Sequence, residues 1–159
     1  MSLIEASVWR LGLVKAIAFC AALLAGATLA TGDAEARQTK KVVIHLQEDD
    51  LSAQNQIFSF IRNMTEHYNE YDIDVEFKVV AIGQGIKLLR VDTSTFPDSV
   101  LHYPEDYNVE FLACGNSLYG MRKQEGLEEI DLLDGVRIVK VGGAELIDLQ
   151  DRGYAYIRP

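Results

Sequence analysis

The sequence predicts an α/β domain, a three-layer sandwich built on a mainly parallel five-stranded sheet. Three observations predict it. Short Val- and Ile-rich runs alternate with amphipathic or capped stretches from residue 37 to residue 159. Each apolar run has the length of a strand, and most are bounded by Gly, Pro, Asn or Asp. The chain has 159 residues, 48% apolar and 25% charged, which suits one globular domain.

The elements follow in order. KVVIHL, residues 41–46, is an apolar run and the first buried strand. After the loop QEDD, residues 51–68 place Ile57, Phe58, Ile61, Met64 and Tyr68 near 3.6-residue spacing, an amphipathic helix that Asp49 or Asp50 can cap. DVEFKVVAIG, residues 74–83, alternates and then turns apolar, giving the second strand. GQGIKLLR opens a short helix or turn. DTSTFPDSV reads as a polar loop broken by Pro97, continuing past His102, Tyr103 and Pro104. NVEFLACG, residues 108–115, is the third strand. NSLYGMRKQEG, residues 116–126, is a short helix with Leu118 and Met121 inward and Gly126 closing it. VRIVKVG, residues 136–142, is the fourth strand. GAELIDLQDRG, residues 143–153, is a helix ended by Gly153. YAYI, residues 154–157, is a last short strand at an edge.

Residues 1–36 stand apart from this domain. Arg10 and Lys15 precede Ala16–Ala30, fifteen residues without charge, and Ala34-Glu35-Ala36 supplies small residues at a cleavage position. That succession describes a secretory signal peptide. A membrane anchor is the alternative, but the core falls short of the ~20 residues needed to span a bilayer. Cys20 follows Phe19, where a lipoprotein cysteine needs a small residue. The domain at 37–159 is therefore expected in the periplasm or secreted, with no stable membrane insertion. It carries 13 basic and 21 acidic residues, a net charge of −8. No basic stripe is present, so nucleic acid is an unsuitable partner.

One cysteine, Cys114, remains in that domain, and it cannot close a disulfide within its own chain. In open α/β sheets ligands gather at the carboxyl ends of strands, where strand order reverses. In a flavodoxin-like order, 2-1-3-4-5, that point lies between the first and third strands, and Cys114 ends the third. Gly115 lets the backbone turn, Asn116 or Ser117 can cap the next helix, and first-turn amides favour a thiolate or a bound anion. The alternative is a buried thiol packed as a small hydrophobe.

The absence of a CxxC excludes a thioredoxin-type dithiol. His45, near the exit of the first strand, either satisfies itself in the core or tunes Cys114. A Cys114–His45 hydrolase is a third reading. Gly83 and Gly85 after the second strand, and Gly142 and Gly143 after the fourth, either form tight turns or present amides to an anion. The sequence predicts no metal site and no cofactor, because one Cys and scattered His supply too few ligands and no nucleotide motif is present.

KVVIHL, Asn63, VVAIGQGIKLL, VEFLACGNSL and VGGAELIDLQDRGYAYIRP, in this order and spacing, resemble the DsrE/DsrF-like sulfur-relay family. The resemblance implies a compact DsrE-like α/β fold assembled as homotrimers or homohexamers. It implies a persulfide carried at the position of Cys114, with an unidentified sulfur donor and acceptor. The alternative function for this chain is a non-catalytic oligomeric module that binds a small anion or senses redox state.

Overall fold

A computed structural model describes residues 37–159. The expected signal peptide, residues 1–36 with Cys20 inside it, lies outside the described residues. The elements are β1 (Thr39–Leu46), α1 (Leu51–Asn69), β2 (Asp74–Ala81), a 3-10 helix (Gly83–Leu89), α2 (Pro97–Tyr107), β3 (Val109–Cys114), α3 (Gly115–Glu125), β4 (Arg137–Val139), α4 (Gly142–Asp151) and β5 (Ala155–Ile157).

All strand pairs are parallel, in the order β4-β3-β2-β1-β5. The order expected from sequence, 2-1-3-4-5, does not hold. It would leave β2 at an edge, yet Val79, Val80 and Ala81 are fully buried and point alternately to both faces. That strand belongs inside the sheet, between β1 and β3. The three-residue strands β4 and β5, which expose Ile138 and Tyr156, take the edges. The chain thus steps one way from β1 to β4 and returns across the sheet to β5, so the reversal lies at β1.

Helix placement follows from that path, because parallel crossovers are right-handed. The outward steps put α1, α2 and α3 on one face, where Ile57, Phe58, Ile61, Val100, Tyr103 and Met121 pack on Val42, Ile44, Phe77, Val79 and Phe111. The return step puts α4 on the other face, where Leu146, Leu149 and Tyr154 pack on Val43, Val80 and Leu112. Below α4 that face carries a polar ladder instead. Arg137 and Lys78 bond Glu110, and Lys78 and Tyr154 bond Glu76. Lys78, Glu76, Glu110 and Arg137 are thereby all paired on a part of the sheet that no helix covers.

The segment expected as a loop around Pro97 and His102 is helical. Pro97 occupies the first turn, where its missing N–H is no loss. Val100 and Tyr103 fall on one helical face and are buried, Tyr103 edge-on to Phe58 with ring centroids 4.9 Å apart. Pro104 removes one intrahelical hydrogen bond, and tertiary packing outweighs that loss. Asn108, left-handed at φ 53°, ends the helix.

Arg90 joins the 3-10 helix to α3. Its side chain is 3% exposed and bonds Asp92 and Glu125. An antiparallel bridge pairs Arg90 with Leu132, and the Leu133 N–H donates to the Leu89 carbonyl at 2.9 Å. The segment between α3 and β4 is thereby fixed beside α3.

Candidate functional site around Cys114

β3 runs into α3 with no intervening loop. Cys114 is both the last strand residue and the helix N-cap, and no side chain caps the helix. Asn116 and Ser117, expected as caps, instead lie in the first turn, because the helix starts at Gly115. Glycine suits this junction: a Cβ there would lie 3.2 Å from the Val139 carbonyl oxygen. The thiol sits where three strand ends meet, those of β2, β3 and β4.

The Gly142 N–H, at the start of α4, donates to Sγ at 3.2 Å. The Ser117 hydroxyl and the first-turn amides of Asn116 and Ser117 lie beside the sulfur and favour its charged form. Ser117 is itself held in place, since its Oγ accepts the Gly83 N–H at 2.9 Å. Two helix starts therefore face one sulfur, each with unpaired amides and the positive end of its dipole. Burial pushes the thiol pKa up. The Ser117 hydroxyl, the Gly142 amide and the α3 amides outweigh it, and the thiol lies below its ordinary value of 9.0. Cys114 is 3% exposed.

The glycines divide by role. Gly142 must be glycine, because a Cβ would lie 2.9 Å from Cys114 Cβ and 2.7 Å from Ile82 Cγ1. Gly83 adopts φ +56°, which aims its N–H at Ser117. Gly85 does not reach the thiol and packs on the Leu46 carbonyl. Gly143 is exposed, with open space at its Cβ position, and makes no recorded contact with the sulfur. Ile82, which closes over Gly142, gave no signal in the sequence beyond its place in an apolar run.

His45 does not join the thiol. It pairs in register with Val80, and Val80 with Leu112. Two strand spacings across and two residues along separate its Cα from that of Cys114 by roughly 12 Å. Its Nδ1 shares a hydrogen bond with the Tyr156 hydroxyl at 2.8 Å, and its Nε2 is buried without a partner. A hydrolase using Cys114 and His45 has no geometric support. Burial, then the Arg158 charge, hold the His45 pKa below 6.5. As pH falls below 6.5, the unfolded chain takes up a proton before the folded one does, so stability present above that pH is lost. The urea midpoint is expected to drop as pH falls below about 6.5, and His45→Gln to flatten the slope. An unchanged slope in the variant would refute the assignment.

Among the described residues no group of three His, Cys, Asp or Glu is placed to hold a metal ion. Nor is any described helix long and apolar enough to cross a membrane.

Comparison with known proteins adds three findings. The model of the DsrE/DsrF-like family matches residues 40–159. The solved structure of MTH1491, a protein of unknown function from Methanobacterium thermoautotrophicum, is similar at 34% identity and a TM-score of 0.64, covering 76% of this chain and 99% of that one. No curated protein matches.

Proposed function

This chain belongs to the DsrE/DsrF-like family, which is associated with sulfur relay, and on that premise we propose that it carries sulfur as a persulfide on Cys114. The observation that supports the reading most is the placing of one sulfur at two helix starts, as N-cap of α3 and as acceptor of the first amide of α4. A structural thiol needs no such donors. A nucleophilic thiolate does, and so does the anionic outer sulfur of a persulfide.

The transfer balances without an external oxidant. The Cys114 thiolate attacks the outer sulfur of a donor R–S–S–H. A new S–S bond forms on Cys114, the donor S–S bond breaks, and R–S⁻ leaves with the electron pair. The proton stays on the transferred sulfur or is lost to water. An acceptor thiolate reverses the step. The chain is a carrier in this scheme, with no cofactor and two partners, a donor and an acceptor. The reading of residues 1–36 as a signal peptide supports a site of action outside the cytoplasm. Self-association as a homotrimer or homohexamer is part of the same proposal, supported by exposed Ile147 and Tyr156 on α4 and the β5 edge.

Mass spectrometry after incubation with polysulfide tests it. The wild type is expected to gain one sulfur atom, and Cys114→Ser none. Absence of the adduct in the wild type across donors would overturn the proposal.

The 3% exposure of Cys114 favours a second reading, a non-catalytic anion-binding or redox-sensing module. It predicts a thiol that resists alkylation at neutral pH in the folded protein, whereas the carrier predicts rapid alkylation.

A further inference from the structure

One residue beyond the thiol, Gly115 borders a cleft of about 250 Å³ between α3, β4 and the segment that Arg90 anchors. Leu118, Ile130 and Ile138 give it an apolar floor. Arg122 lines it with positive charge and Glu129 with negative charge. These two do not pair with each other, and among the described residues neither forms any ion pair. The Arg122 guanidinium lies 5.7 Å from the Tyr119 ring centroid, which steadies it at the cleft. Lys123 lies over the same Tyr119 ring, 4.5 Å from its centroid.

Opposite charges that face one cleft without meeting fit a ligand that carries both charges itself. We propose that the cleft binds the amino-acid end of a low-molecular-weight persulfide, the zwitterionic donor of sulfur to Cys114. Its carboxylate meets the Arg122 fork and its ammonium meets Glu129. Its methylene stem lies on Leu118 and Ile138, and its sulfane end passes Gly115 toward the thiol. A persulfide on an internal cysteine of a protein carries neither charge and gains nothing from this pair. The inference rests on the persulfide reading of Cys114 and uses the transfer written above, with the amino-acid thiolate as leaving group.

Single-turnover loading of the purified chain tests it, with cysteine persulfide and inorganic tetrasulfide as alternative donors. Arg122→Gln and Glu129→Gln are each expected to slow loading from cysteine persulfide roughly five- to tenfold. Loading from tetrasulfide should stay within about twofold, because that donor has no ammonium and no stem to place. Both side chains are exposed, so the fold should be kept, and thermal melting checks this. Unchanged loading from cysteine persulfide, or equal slowing with both donors, would overturn the cleft assignment and leave the carrier standing. No loading of the wild type from either donor would overturn the carrier and this inference with it.

Discussion

Gly85→Ala is expected to destabilise the domain by roughly 3 kcal/mol or more, because the added methyl overlaps backbone that cannot move. A Cβ at this position would lie 2.5 Å from the Leu46 carbonyl oxygen and 2.8 Å from its carbon. Leu46 ends β1, an interior strand paired on both sides, to β2 over eight residues and to β5 over three. Neither can the 3-10 helix retreat, since the Gly85 N–H bonds the Gln47 carbonyl at 3.0 Å. For a domain whose whole stability is about 5–15 kcal/mol, the loss is large. It corresponds to a fall in Tm of roughly 10–15 °C. Gly143→Ala is the control, because its Cβ position is open and exposed. It should be neutral or stabilising by up to about 1 kcal/mol, as alanine replaces glycine in a helix. Equal melting of the two variants would show that the Leu46 contact is not what demands glycine.

The contrast between these glycines marks where sequence stops being informative. Gly83, Gly85, Gly142 and Gly143 look alike as letters after apolar runs. Which of them touches the thiol depends on where β1 and β4 end relative to β2 and β3, and that is a matter of sheet order. The fold class was legible because buried strands and amphipathic helices write their periods locally. The order was not, since it depends on which strands are buried on both faces. Cys114 and Ser117 were legible as a strand-to-helix junction. The Gly142 amide was a candidate only by its place after a strand, and the relay from Gly83 through Ser117 joins residues 34 positions apart. His45 misled for the opposite reason. Its position near the exit of β1 suggested the thiol, but β2 lies between them. The helix Pro97–Tyr107 was hidden by two prolines, one harmless at the helix start and one tolerated under tertiary packing. Arg122 and Glu129 carry no motif, and only the fixed segment after α3 brings them to one cleft.

Ser117→Ala is expected to raise the Cys114 pKa and slow its alkylation at pH 7. The Ser117 hydroxyl is one of the groups that hold the thiol below its ordinary 9.0 against burial. With that group gone, burial and the low local polarity weigh more against the charged form, and less thiolate is present at pH 7. The rate falls less than the thiolate does, because a more basic thiolate is the better nucleophile. With a Brønsted slope of about 0.4–0.5, the slowing is roughly half, on a logarithmic scale, of the loss of thiolate. The variant also strands the Gly83 N–H, whose acceptor is Ser117 Oγ, so some stability is lost with it. Ser117→Thr separates the two effects. It keeps the hydroxyl and should return the alkylation midpoint toward the wild-type value, whereas a purely structural role for Ser117 would leave that midpoint where it is in all three proteins. The measurement is alkylation rate against pH. A midpoint unshifted in Ser117→Ala would mean that the Gly142 amide and the α3 amides hold the thiolate alone, and would remove Ser117 from the site.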